Sequence, residues 1–222
     1  MNRYLLLLLF LTFSVGTNAQ SIIEAYFALP EQYARMSLEQ REKLTLEIID
    51  FPESNDTLIS EKFEIEVLDT SINYLIVSQS YTTGQAAWSR SEFRIYQGKM
   101  KNVLIASHTS GTRVDHHTQG YYILEILKEP QTETLSFKEM NVHGVHIPNQ
   151  FRKNTPAEYI DEDSYYFCYS RSLDPATYPN GYGFETAPCY ILSKEIEDYL
   201  LTPKLTFLWT GSRFKKGKPS VK

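Results

Sequence analysis

Lys62-Phe63-Glu64-Ile65-Glu66-Val67 decides the fold class, because its apolar residues Phe63, Ile65 and Val67 alternate with the acids Glu64 and Glu66. Successive side chains of a strand point to opposite faces. A period of two therefore reads as a half-buried strand, where a helix would repeat its apolar residues every three or four positions. Runs of the same kind follow at residues 74–81, 92–96, 102–107, 121–127, 135–140, 165–170, 189–192 and 205–210. Turn signals separate them, including Gln97-Gly98, Ser110-Gly111, Gln119-Gly120, Glu129-Pro130 and Pro179-Asn180-Gly181. Connections this short leave no room for crossover helices, so neighbouring strands are expected to pair antiparallel as a meander.

Upstream of residue 62 the period is helical. Ile22, Ile23, Tyr26, Phe27 and Leu29 lie at helical spacing before Pro30. Ser37-Leu38-Glu39-Gln40 fits the S-x-x-Q capping box, in which a serine oxygen and a glutamine side chain satisfy amides at a helix start. One late helix is expected at residues 194–201, with Ser193 as cap, Glu195 and Glu197 in its first turn and Pro203 beyond. The expected fold is thus α+β: a mostly antiparallel meander sheet with N-terminal helices and one late helix.

The chain opens with Arg3, an apolar run over residues 4–13 and the small residues Thr17-Asn18-Ala19. That is the pattern of a secretory signal peptide, residues 1–19, cleaved before Gln20. The run is too short to span a membrane, which takes about 20 apolar residues, and no later stretch reaches that length. Residues 20–222 are read as a single exported α+β domain, periplasmic or extracellular. The Pro- and acid-containing stretch 148–163 is the candidate sub-boundary. Asp161, Glu162 and Asp163 within it read as a solvated turn.

The formal net charge is −5, which argues against a nucleic-acid partner. Arg213, Lys215, Lys216, Lys218 and Lys222 cluster near the C-terminus, where a frayed, solvated tail is expected. The two cysteines, Cys168 and Cys189, form the even pair that an exported chain tends to join as a disulfide. Geometry conditions that pairing. A two-residue turn at Asn180-Gly181 would set the cysteines about four residues out of register, roughly 13 Å apart and beyond disulfide reach. The bond therefore requires residues 172–185 to form a wider loop.

The order of features in residues 20 to about 140 resembles an uncharacterised family of small exported proteins from Bacteroidetes-type bacteria. The likeness is carried by a leader followed by Ile23-Glu24-Ala25-Tyr26-Phe27-Ala28-Leu29-Pro30, then residues 44–51, then residues 69–78 and a strand-rich middle. The resemblance implies export and mixed architecture. It supplies no activity and no catalytic residue.

Two groups of residues carry candidate chemistry. His108, Asp115, His116, His117, His143 and His146 combine imidazoles with a carboxylate, the ligand set of zinc and related divalent ions. Their spacing matches no metalloprotease helix, and the competing reading is that they are polar loop histidines. Tyr178, Tyr182 and Phe184 concentrate among Pro and Gly in residues 172–187, either as a recognition surface or as cross-strand packing. Nucleophile elbows and phosphate-cradling glycine loops are missing from the sequence, so no catalytic residue is assigned. The expected function is a non-enzymatic binding or accessory module with no cofactor, recognising an envelope protein, peptide or glycan. The alternative is a metal-binding protein or metal-dependent hydrolase using the histidines. The sequence leaves the oligomeric state open.

Overall fold

The structure is a computed structural model, and it describes residues 21–44, 49–52, 60–81, 87–111, 116–129, 132, 134–140, 168–187 and 204–217. Among the described residues three short helices come first. In α1, Ile22–Ala28, the Ser21 hydroxyl accepts from the Glu24 amide at 3.1 Å, and Ile22, Ala25 and Tyr26 form the buried stripe. A single turn, α2, spans Glu31–Ala34 and ends on Arg35 in the left-handed conformation, φ 60°. Helix α3, Leu38–Lys43, carries the expected capping box, with Ser37 Oγ to Gln40 N at 3.1 Å and Ser37 N to Gln40 Oε1 at 2.8 Å. Two side chains tie this layer together. Asn73 Oδ1 accepts from the Ile22 amide at 2.9 Å, and the buried Arg41 donates to the carbonyls of Tyr26 and Phe27 at the open end of α1.

The helices lie on a seven-stranded sheet whose order, β1-β2-β3-β4-β5-β6-β7, is the order of the sequence. Its strands are Ile49–Pro52, Ser60–Asp69, Tyr74–Tyr81, Ala87–Tyr96, Asn102–Gly111, His116–Lys128 and Leu135–Glu139, and every adjacent pair is antiparallel. A second sheet of four strands follows: β8 Cys168–Ser172, β9 Gly181–Ala187, β10 Lys204–Trp209 and β11 Phe214–Lys216, ordered β11-β10-β9-β8. The sheet-dominated α+β fold thus agrees with the sequence, down to the meander.

Two bulges correct the simple alternation. In β2 the ladder passes from Ile65↔Val77 to Val67↔Ile76, leaving Glu66 as an extra residue. One extra residue flips the parity of everything after it. Phe63 and Ile65 keep to the helix side as expected, but Leu68 replaces Val67 there, and Val67 is 38% exposed. In β6 the register jumps from His108↔Gly120 to Thr109↔Thr118, so Gln119-Gly120, expected as a turn, is a bulge inside a long strand. The C-terminal expectation also changes: Phe214–Lys216 pairs with β10, and the Gly217 amide donates to Thr206 O at 2.7 Å, although Lys215 and Lys216 remain exposed.

The first sheet is buried on both faces. Toward the helices, Phe63, Leu75, Phe93, Leu104 and Leu124 share one core with Ile22, Tyr26 and Leu29. Toward the second sheet, Ile76, Tyr96, Val103, Ile105 and Ile123 share another with Leu173, Tyr182, Phe184, Leu205 and Phe207. Each such side chain contributes about 1.5–3 kcal/mol on burial. The molecule is therefore layered as helices, long meander and short sheet. The leader 1–19, the strand expected at 189–192, the helix expected at 194–201 and the candidate boundary 148–163 lie outside the described residues.

Candidate functional site

Strand β4 explains how polar chemistry enters the interior. In Glu92-Phe93-Arg94-Ile95-Tyr96, Phe93 and Ile95 face the helices, so Glu92, Arg94 and Tyr96 face the second sheet, and all five are buried. Arg94 gathers the connection between β8 and β9. Its Nη1 donates to the carbonyls of Tyr178 at 2.7 Å, Leu173 at 3.1 Å and Gly181 at 3.3 Å, and its Nη2 to that of Pro179 at 2.5 Å. Tyr96 Oη donates to the Gly181 carbonyl at 2.5 Å, and Glu92 Oε2 accepts from the Leu173 amide at 2.9 Å. Burial pushes the Glu92 carboxyl above its ordinary range, opposed by that amide and by Arg90, which is paired with it. The loop is organised from within as well: Asp174 accepts from Thr177 Oγ1 at 2.6 Å and from the Ala176 amide at 3.0 Å.

This geometry corrects the expectation of a recognition surface at Tyr178, Tyr182 and Phe184, which are 4%, 0% and 1% exposed. Tyr182 stacks on Phe207 with centroids 5.1 Å apart and planes 14° from parallel, and Phe184 meets Phe207 edge-on at 5.8 Å. The Tyr178 ring lies across the backbone of Gly183, where a Cβ would fall 2.0 Å from its Cζ. Burial wins because β9 points Tyr182 and Phe184 into the space between the sheets, and Tyr178 of the preceding connection lies over Gly183.

The histidines divide. His108 is a core residue, 3% exposed, with Nε2 2.9 Å from the Tyr33 carbonyl and Nδ1 2.8 Å from Ser91 Oγ. A carbonyl only accepts, so Nε2 carries the proton and Nδ1 accepts from the serine. Both nitrogens are spent, and the expectation of His108 as a metal ligand gives way. The Ser91–His108 pair also makes a poor nucleophile and base: burial, with Arg35 adding to it, holds the imidazole down at about 4. His116 and His117 lie in β6 opposite Gly111 and Ser110. Asp115, His143 and His146 lie outside the described residues, among which no group of three His, Cys, Asp or Glu side chains could hold a metal ion. Cys168 pairs with Ala187 across β8 and β9, and the loop between these strands is 173–180, narrower than the 172–185 that the disulfide was expected to require. Cys189 itself lies outside the described residues.

Sequence reasoning missed the group that stands out most. Arg171 of β8, 8% exposed, sets its Cζ 3.2 Å from the Tyr121 ring centroid and 4.3 Å from that of Phe184. The two rings are inclined at 74° and form a corner around the guanidinium. Cation–π contact serves the faces of the cation and leaves its N–H edges unserved. Arg171 Nε and Nη1 are buried without a hydrogen-bond partner, and the buried Tyr121 and Tyr182 hydroxyls interact with each other but form no well-aligned bond. Burial lowers the guanidinium to about 10 and raises both phenols, Tyr182 to about 12, so at neutral pH the site holds one cation and two neutral hydroxyls. The signal in the sequence was slight: a lone arginine in Cys168-Tyr169-Ser170-Arg171-Ser172, whose partners lie far away along the chain.

The fold and this cluster define a class, a three-layer α+β protein with a charged seam between its sheets. Among solved structures, a domain of an uncharacterized protein from Porphyromonas gingivalis W83 matches the chain at 15% sequence identity with a TM-score of 0.48, covering 89% of this chain and 98% of that one. No protein-family model matches the chain, and no curated protein does. Among the described residues, no helix is long and apolar enough to cross a membrane.

Proposed function

We propose that this chain is a non-enzymatic accessory module of the cell envelope, periplasmic or extracellular, that recognises a protein, peptide or glycan at the seam between its two sheets. The observation that supports the reading is the set of four buried atoms on Arg171, Tyr121 and Tyr182 that form no well-aligned hydrogen bond. Each such atom costs about 1–3 kcal/mol while unsatisfied, and a bound group that supplies the missing partners recovers that cost. The groups present also favour binding over turnover. Phenols raised by burial and a guanidinium that stays charged hold a ligand, but none takes a proton or attacks at neutral pH. Export rests on the leader at residues 1–19.

The test is a thermal-shift and calorimetry panel on residues 20–222, using acidic and amidated peptides with acidic and neutral glycan oligomers. Saturable stabilisation by at least one ligand, recovered chemically unchanged, is the expected result. Conversion of the ligand to a product overturns the non-enzymatic reading, and silence across the panel overturns the binding reading.

A further inference from the structure

We infer that the corner formed by Arg171, Tyr121, Tyr182 and Phe184 is a carboxylate site, in which the guanidinium supplies the counter-charge and the two tyrosine hydroxyls act as donors. The inference rests on the binding-module reading and gives its site a chemistry. Three arginines are buried among the described residues: Arg41, Arg94 and Arg171. Arg41 is met by the carbonyls of Tyr26 and Phe27 and Arg94 by those of Leu173, Tyr178, Pro179 and Gly181. Arg171 alone is left with N–H groups that meet no acceptor. Among the described residues its charged neighbour of opposite sign, Glu92, is already held by the Leu173 amide, Tyr74 and Arg90.

A buried, unpaired charge is among the costliest features a fold can carry, several kcal/mol even after relaxation. The complement of this corner is defined by the atoms it presents. The unmatched atoms are cationic N–H donors and phenol O–H donors, so the complement accepts several hydrogen bonds and carries negative charge. A metal ion has the wrong sign. A neutral sugar hydroxyl offers no counter-charge. A carboxylate fits on both counts, and its small size suits a guanidinium that is 8% exposed. Among the described residues β8 is an edge strand of its sheet, while the Arg171 and tyrosine atoms that would meet the carboxylate are themselves buried, so the corner has to part for the ligand to enter.

The experiment titrates residues 20–222 with acetate, glucuronate and a tripeptide bearing a free C-terminal carboxylate. Sodium chloride holds the ionic strength constant, and the tripeptide amide and glucose serve as neutral counterparts. Carboxylates are expected to raise Tm saturably by about 4 °C, with the neutral counterparts inert. The glucuronate and tripeptide arms show whether a uronic acid or a peptide end is the better source. In a nitrogen-15 spectrum the Arg171 Nε–H resonance should shift along the same titration curve, a readout that general salt stabilisation does not give. The Tyr121→Phe, Tyr182→Phe double variant keeps both rings and should weaken affinity about tenfold, with Arg171→Gln abolishing the response. A Tm that rises equally with chloride, or an Arg171 resonance that stays still through the titration, overturns the carboxylate site. If the neutral tripeptide amide or a neutral glycan binds while carboxylates do not, the binding module stands and this chemistry falls.

Discussion

On the helix side of the first sheet, Phe93 of β4 shares a core with Ile22, Tyr26 and Leu29, and the buried His108 is satisfied at both nitrogens. On the other side, the next residues of the same strand, Glu92 and Arg94, reach across to the backbone of residues 173–181. One face is closed by apolar contact, the other by charge-assisted bonds as well. The difference teaches where function is legible: a sealed face has no unmet valence, and the four unmet atoms all lie on the charged side.

The largest expected effect tests whether the second face is also a true core. Tyr182→Ala and Phe184→Ala should each cost about 3–5 kcal/mol in urea unfolding, matching Phe93→Ala on the helix side. Losses below about 1 kcal/mol would show that the second sheet packs weakly and would break the parallel. Next comes the clamp. Arg94→Met keeps the bulk but strands the carbonyls of Leu173, Tyr178, Pro179 and Gly181, at a cost of about 3–4 kcal/mol. Hydrogen exchange should rise first in residues 173–181; an even rise across both sheets would mean that Arg94 holds the whole fold rather than the loop.

The two faces should also answer pH with opposite signs. His108 has a folded value of about 4 against an ordinary 6.5. Its contribution is complete above 6.5 and is lost as pH falls toward 4, a loss of about 3 kcal/mol that His108→Gln should abolish. Glu92 is raised, so its contribution is present below its unfolded value and is lost as pH rises through its folded one. Urea midpoints from pH 4 to 8 for the wild type, His108→Gln and Glu92→Gln separate the two. The smallest effect is the most discriminating. Tyr96→Phe removes the bond to the Gly181 carbonyl and should cost about 1 kcal/mol, whereas Tyr182→Phe removes a buried hydroxyl that forms no well-aligned bond and should be neutral or stabilising by up to about 1 kcal/mol. A clear loss at Tyr182→Phe would mean that its hydroxyl is already bonded in the free protein.

What was legible in the sequence was local. Ser37 and Gln40 announce their own capping box, and Phe63, Leu104 and Leu124 lie in runs whose period is visible within a few residues. What was hidden needed a partner distant in sequence. Glu92 and Arg94 alternate with Phe93 and Ile95 just as solvent-facing residues would, and only a second sheet 80 residues downstream turns that face inward. The bulges at Glu66 and Gln119 were hidden for another reason: a single extra residue changes which face a side chain takes without changing composition. Tyr182 and Phe184 read as loop because Gly181, Gly183 and Pro179 punctuate them, yet Gly183 is small so that Tyr178 can lie over a strand. His108 looked like one of a cluster, and its bonds to Ser91 and Tyr33 depend on register and on helix placement that its neighbours in sequence do not encode.

Because strands β1 to β7 pair in chain order, the first sheet closes only short loops and is able to assemble while residues 168–217 are still unstructured. In that interval its second face is bare. Isoleucines and valines alone would make it an adhesive surface for other half-folded chains, but Glu92, Arg94, Ser107 and the Tyr74 and Tyr96 hydroxyls are set among Ile76, Val103 and Ile105. The residues that end as a clamp begin as a hydrated screen against aggregation. Refolding yield at rising protein concentration reads this directly: Arg94→Met should lose yield steeply where the wild type does not, and Phe93→Ala, on the face that the helices cover early, should lose stability without that concentration dependence.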